Sequence, residues 1–366
     1  MIDNTNLLEG LLDQSIIRLH KAPLLFQSPP RLPQSFNFDK IEGMLLGAAI
    51  GDSMGATSEG LSAEKRKNKF GEIRDYIPGR RSKYLPIGVP TDDTQLTFWT
   101  LKQLMIDNGL IPDNLAKRFC KHHISGIGST VKSFIGNYKD SHKPWYMSGS
   151  DSLGNGALMR ISPIIIPYLL NPHHSMYADA ALDAMITHNS YANNATCIAF
   201  VIILWQLISM QKTPDSSWWV NTFCSIAKDL EGATQYAPKS SAYSYRGSLW
   251  QYTEMVIKDA VKQNLSVKEV CEKWGSWASL LETVPSVLYI LTKYADNAEE
   301  AIIRAVNDTG DNDTIGSIVG AAVGALHGLG RLPSRWIEGL TGRTRSSDDG
   351  QVFKLILLAK KRFWII

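Results

Sequence analysis

The sequence predicts an all-α fold, a compact orthogonal multi-helix domain over residues 38–366 preceded by an N-terminal arm, residues 1–37. Three observations lead there. Apolar residues recur at helical spacing in segment after segment. Alternating strand patterns are few, with residues 71–77 (GEIRDYI) the best short candidate. Two glycine stripes, Gly43, Gly47, Gly51, Gly55 and Gly316, Gly320, Gly324, Gly328, repeat every fourth residue. Glycine costs about 1 kcal/mol per helical position relative to alanine. Two such stripes therefore imply close backbone approach, and the two helices are expected to cross near the domain centre, drawing their end loops to one site.

In the arm, NTNLLEGLLDQSIIRLH places Leu7, Leu8, Leu11, Leu12, Ile16 and Ile17 roughly on one face. KAPLLFQSPPRLPQSF then packs four prolines into a stretch that stops any helix and favours an extended path. Two readings stand: a helix docked on the core through a linker, or an arm offering Leu24, Leu25, Phe26 and Arg31 to a partner. In DKIEGMLLGAAIGDSMGA, Asp39 and Glu42 have capping-box spacing. DTQLTFWTLKQLMID, HSMYADAALDAMITH, NNATCIAFVIILWQLISM, WQYTEMVIKDAVKQN, VKEVCEKWGSWASLLETVPSVLYILTKY and NAEEAIIRAVN all read as helices.

With 44% hydrophobic residues, 20% charged residues and a net charge of +3, the chain has no global pull toward nucleic acid or membrane. The apolar stretches 41–50 and 314–330 are too short and glycine-rich for confident membrane spans. Cys120, Cys197, Cys224 and Cys271 form no CxxC pair and read as buried thiols in a reducing compartment. Asp3 and Glu9 stand where an export leader carries basic charge, so a cytoplasmic location is expected.

Two loops concentrate carboxylates and hydroxyls: Thr91-Asp92-Asp93-Thr94, and NDTGDNDTIG with Asp308, Asp311, Asp313 and Thr314. Glu59 lies just past the first glycine stripe. Taken singly, Asp93 or Asp313 reads as a helix N-cap. Taken together, so many carboxylates repel one another unless a cation sits among them. Oxygen donors without His or Cys suit Mg²⁺ or Mn²⁺ rather than zinc, and two clusters suggest two ions. SLGNGALMRISP, from Ser152 to Pro163, reads as a glycine loop entering a helix whose N-terminus favours an anion such as diphosphate, or else as a tight turn. His188 in MITHNSYAN is either a helix-end or core residue or a catalytic one. Trp205, Trp218, Trp219, Trp250, Trp274 and Trp277 suit a core, with an adenine-stacking surface as the alternative.

In this order, GMLLGAAIGDSMGATSEG, PTDDTQL, GNGALMR, THNSYAN and GDNDTIGSIVGAAVGALHG resemble the ADP-ribosylglycohydrolase family, which includes the dinitrogenase-reductase-activating glycohydrolases. The resemblance covers roughly residues 40–330. It implies an all-α fold, two Mg²⁺ or Mn²⁺ ions and removal of ADP-ribose from modified protein side chains. It implies Thr91, Asp92, Asp93, Asp311, Asp313 and Thr314 as metal ligands, and Glu59, Asp92 and Asp313 as catalytic groups. Ser152, Leu153, Gly154, Asn155, Gly156 and His188 would contact the substrate. The family pattern GDTDT is altered here, with Asn312 in the threonine position, which leaves the ligands in place and changes a neighbouring hydrogen bond.

The expected activity is hydrolysis of the N-glycosidic bond of ADP-ribosyl-arginine on a protein substrate. The alternative is a non-catalytic protein that binds and inhibits an ADP-ribosyltransferase toxin through residues 1–37, as immunity-type members of the family do. The two roles are compatible. A binuclear phosphodiesterase fits the charges but not the ordered motifs.

Overall fold

The computed structural model describes residues 2–78 and 87–365. It is all-α: helices run from Thr5–Asp13 to Gln351–Phe363, joined by short loops and 3₁₀ turns. Among the described residues no strand forms, and the 71–77 segment is irregular chain. Only isolated bridges occur, among them Ser150 with His188 and Gly154 with Ser279.

The helices Asp39–Gly55 and Asn312–His327 form the centre. Rather than crossing at one point, they lie antiparallel along their whole lengths, glycine facing backbone. A Cβ on Gly47 would stand 2.2 Å from the Gly320 carbonyl oxygen, and one on Gly51 2.0 Å from that of Gly316. A Cβ on Gly55 would meet the Asp313 Cα at 2.4 Å. The stripes thus let two backbones touch, and this register sets the end of the first helix against the start of the second. The expected Asp39/Glu42 box does not form: Asp39 already lies inside the helix, and Glu42 pairs with Lys360 at 2.9 Å. The box that does form joins Ser266 and Glu269.

The helices Ala298–Asp308, Tyr191–Ser209 and Leu280–Tyr294 pack against this pair, and Ser175–Thr187 packs on Tyr191–Ser209. Tyr191–Ser209 is apolar and long enough to cross a bilayer, yet 89% of its most apolar window is buried inside the fold. The predicted helix beginning at Val267 is two, Val267–Trp274 and Leu280–Tyr294, broken where Gly275 takes a φ of +82°. All four cysteines are free thiols, Cys120 being only half-buried.

Residues 2–37 lie on the core. Leu8, Leu11, Ile17, Leu19 and Leu25 are buried, and Leu24 and Phe26 pack against them, while Arg31 is exposed. Asn4 donates to Asp179 Oδ1 at 2.7 Å and to the Leu110 carbonyl at 2.9 Å. Trp205 Nε1 donates to the Pro30 carbonyl at 2.9 Å. Further along the arm, Asn189 donates to the Ile16 carbonyl, Asn194 donates to that of Arg18, and the Arg18 side chain pairs with Asp151.

Candidate metal centre and substrate cavity

Because the glycine register joins one helix end to another helix start, three helix termini meet: the end of Asp39–Gly55 and the starts of Asp92–Asp107 and Asn312–His327. Thr91 and Asp311 occupy the N-cap positions, yet neither makes a side-chain capping bond. For the first helix start that work falls to Asp52, reaching across from the glycine-striped helix. It accepts from Thr91 N at 2.9 Å, Thr94 N at 3.1 Å, Thr91 Oγ1 at 2.8 Å and Thr94 Oγ1 at 2.5 Å. A carboxylate at a helix N-terminus is also favoured by the helix dipole.

The carboxylates form two groups sharing one member: Asp52, Asp93 and Asp313, and Glu59, Asp311 and Asp313. Within each group, one oxygen per residue lies within 4.8 Å of the others. Burial first, then mutual repulsion, raises the carboxyls of Asp93 and Asp313 well above the usual carboxylate range. The same causes push Asp92 up to about 7. Burial pushes Asp52 up to about 6 against its four hydrogen bonds, and Asp311 to about 6. Asp93 Oδ1 is buried with no hydrogen-bond partner, although Oδ2 accepts from Thr314 Oγ1 at 3.2 Å. A buried orphan oxygen among repelling carboxylates is what a divalent cation would satisfy, so the residues fit a hard-cation site.

Beside this centre opens a cavity of about 170 Å³, lined by Glu59, Asp92, Asp93, Asn155, His188, Asp311, Asp313 and Thr314, with Gly126, Gly154 and Gly156. Asn155 donates to Asp311 Oδ2 at 2.6 Å and to Thr283 Oγ1 at 3.0 Å, tying the 152–156 loop to the centre. The loop leads into 3₁₀ turns, Leu158–Arg160 and Ser162–Tyr168, rather than the expected helix, because Pro163 and Pro167 remove backbone donors. Its glycines leave room for a ring: a Cβ on Gly154 or Gly156 would stand 3.1 or 3.0 Å from the His188 ring. Burial, then the nearby Arg160 charge, pushes the His188 pKa down to about 3, so the ring is neutral. Its Nδ1 meets Thr187 Oγ1 at 2.8 Å, leaving Nε2 beside the loop.

The predicted residues separate into two sets. Glu59, Asp92, Asp93, Gly154, Asn155, Gly156, His188, Asp311, Asp313 and Thr314 share the cavity wall. Thr91, Ser152 and Leu153 do not. Thr91 is held by Asp52, Ser152 accepts from Gly154 N and meets Thr130 Oγ1, and the Leu153 carbonyl accepts from Leu280 N. Asp308, grouped with the second cluster by sequence, instead bonds Arg304 at 3.2 Å. Asn312 donates to Ser58 Oγ and the Val306 carbonyl, both at 2.9 Å, which joins the Glu59 loop to the second cluster.

Three residues escaped the sequence reading. Asp52 had a signal, the single carboxylate in the buried apolar run 43–55. Arg66 is fully buried and donates to the carbonyls of Leu61, Asn307 and Thr309, clamping the loops that carry Glu59 and Asp311; it lay hidden in a run of surface-like charges. Arg160, buried with Asp183 at 2.8 Å, donates to the Gly156 carbonyl and Thr187 Oγ1, so it fixes both the loop and the His188 support.

Comparison with known proteins agrees with the all-α fold. A family model described as ADP-ribosylglycohydrolase matches residues 33–362. The chain is 24% identical to ADP-ribosyl-[dinitrogen reductase] glycohydrolase of Rhodospirillum rubrum, over 88% of this chain and 97% of that protein. It is also 24% identical to ADP-ribosylarginine hydrolase Tri1 of Serratia proteamaculans, over 90% and 83% respectively. A solved structure titled ADP-ribosylglycohydrolase-related protein complex shares the fold, with a TM-score of 0.66 at 23% identity over 89% of this chain and 98% of that one.

Proposed function

The chain belongs to the ADP-ribosylglycohydrolase family, and on that premise we propose that it hydrolyses the N-glycosidic bond of ADP-ribosyl-arginine on modified proteins. The observation that carries this reading is the pair of carboxylate groups joined at Asp313, set against a cavity that a loop and a neutral histidine complete. The arginine linkage is favoured by the likeness to the Serratia hydrolase, whose name specifies that substrate.

Thr91, Asp92, Asp93, Asp311, Asp313 and Thr314, with Asp52 behind them, would hold two Mg²⁺ or Mn²⁺ ions. Such ions, when bound, neutralise the carboxylates and make a water nucleophilic near neutral pH. The remaining chemistry falls to the chain's own groups. Asp92 faces the cavity and accepts the proton of the attacking water. Glu59 is raised by burial and stands at the rim, where it donates a proton toward the departing nitrogen. Asn155 holds Asp311 in orientation. Arg160 donates to the Thr187 hydroxyl, and with that hydroxyl's proton directed to His188 Nδ1 the neutral ring would carry its own proton on Nε2, a donor for substrate oxygen.

A transferase toxin docking on residues 1–37 would meet a segment whose Leu8, Leu11, Ile17 and Leu25 already face the core, so the arm reads better as a brace. The test is incubation with Mg²⁺ of arginine-, serine- and acid-linked ADP-ribosyl substrates, followed by mass spectrometry. Release of ADP-ribose from the arginine linkage first is the expected result. Preference for another linkage, or no release, overturns the reading.

A further inference from the structure

A second concavity, separate from the carboxylate centre, opens along the outer half of the Asp92–Asp107 helix. Its volume is about 460 Å³, and Lys102, Lys117, Arg118, Lys121 and Arg345 line it against a single carboxylate, Asp107, with His122 among them. This local excess of positive charge is larger than the +3 of the entire chain. Asp107 is already committed to Gln103 and Asn114, and Lys117 to Asp113. Arg118 donates to the neutral Gln103, and Asp348 accepts from the Thr344 and Arg345 backbone. Among the described residues, Lys102, Arg118, Lys121 and Arg345 have no ion-pair partner. Folding has gathered like charges at a real cost, which a ligand of opposite charge would remove.

The cleft is mechanically continuous with the cavity. Gln95, one turn beyond Asp92, accepts from Ser125 N at 2.7 Å and donates to the Thr344 carbonyl at 2.9 Å. It thereby fixes the two loops that bear Lys121 and Arg345. Four residues past His122, Gly126 lies against Asp92: a Cβ there would stand 2.7 Å from Oδ1. Lys102 is ten residues along the same helix from Asp92, about 15 Å by helical rise. The cleft is open: Lys117, Lys121 and Arg345 are exposed, while Lys102, Arg118 and His122 are partly buried along its wall. An extended chain reaching outward from the cavity mouth fits such a surface better than an enclosed small anion.

We propose that this basic cleft docks an acidic segment of the ADP-ribosylated protein, adjacent to the modified side chain, and so selects among targets. The proposal rests on the hydrolase reading above. Its test uses the full chain and a variant, Lys102→Glu with Lys121→Glu and Arg345→Glu, none of them in the cavity. Two ADP-ribosyl-arginine peptides are compared, one with Glu flanks and one with Gln flanks, beside free ADP-ribosyl-arginine. Wild type is expected to show a KM at least about tenfold lower for the Glu-flanked peptide, lost in the variant and progressively weakened as salt rises toward about 1 M, where the Debye length is about 3 Å. The KM for free ADP-ribosyl-arginine and kcat stay unchanged. Equal KM values for the two peptides in wild type, or an equal loss on all three substrates, overturns the proposal.

Binding of a fluorescent Glu-rich peptide without ADP-ribose, read by anisotropy, separates the two claims. Charge-sensitive binding without any turnover retains the cleft and removes the hydrolase reading. Turnover without discrimination does the reverse. Tighter binding of a single-stranded oligonucleotide than of the Glu-rich peptide also counts against the proposal.

Discussion

The two carboxylate clusters look alike in sequence, acid and hydroxyl just before a helix, yet the fold supports them differently. The first, Thr91 to Thr94, is anchored from inside by Asp52, which occupies its free N–H groups and hydroxyls. The second, Asp311 to Thr314, is held from outside by Asn155, by Arg66 through its preceding loop, and by the Ser276 carbonyl accepting from Asp311 N. Deep support fixes one cluster rigidly; the other is set by loops that also line the cavity. Asp313 belongs to both carboxylate groups and therefore joins the two regimes.

The largest expected effect follows from that shared position. Asp313→Ala should lower kcat for ADP-ribosyl-arginine by about 10³-fold or more while a cooperative melt is retained; wild-type turnover would refute its role. Next comes the register that brings the clusters together. Gly51→Ala drives a Cβ to 2.0 Å from a backbone oxygen and should cost about 3 kcal/mol in chemical denaturation. Loss of less than about 0.5 kcal/mol would mean the helices can separate freely.

Asp52→Asn should weaken Mn²⁺ binding about 10–100-fold, as changes to groups that orient ligands do. The corresponding change on the loop-supported side, Asn155→Ala, should raise KM more than it weakens metal binding, because Asn155 also shapes the cavity. If calorimetry shows the reverse order, the contrast between deep and loop support is wrong.

The pH response distinguishes the centre from its neighbouring histidine. Without metal, Asp52, Asp92 and Asp311 carry folded pKa values near 6 to 7, above the unfolded value near 4. They bind protons more tightly when folded, so their contribution is full below about pH 4 and is lost as pH rises through 6 to 7. Mg²⁺ should therefore raise the melting temperature more at pH 8, where a hundredfold excess over Kd stabilises by about 2.7 kcal/mol per site, than at pH 5. An equal rise at both pH values would contradict this. His188 acts in the opposite sense: its folded pKa near 3 lies below the unfolded value of about 6.5, so stability is lost as pH falls through that window. His188→Gln should flatten that smaller slope in a thermal melt.

Much of this was readable beforehand, for identifiable reasons. Glycine at every fourth position has few explanations in a buried helix, so the stripes revealed the central pairing, though not that it runs the full helix length. Acid–hydroxyl clusters before apolar helices supplied the carboxylate side of the cavity wall, Asp92, Asp93, Asp311, Asp313 and Thr314. What escaped depended on tertiary neighbours. Gly154 and Gly156 read as a loop with accessible N–H groups, and their place against the His188 ring was not legible from spacing alone. Asp308 matched its cluster in sequence but turned to Arg304. The arm carries no candidate site residue, yet Arg18 pairs with Asp151 beside the 152–156 loop, and Asn189 next to His188 donates to the Ile16 carbonyl. Removing residues 1–22 should therefore raise KM several-fold, not leave activity untouched.

The central claim is that two divalent ions share Asp313. Isothermal titration of metal-free protein with Mn²⁺ tests it most directly. The account predicts two ions per wild-type chain, with both affinities weakened together in Asp313→Ala. Zero or one ion in wild type, or two ions bound undiminished in the variant, would contradict it.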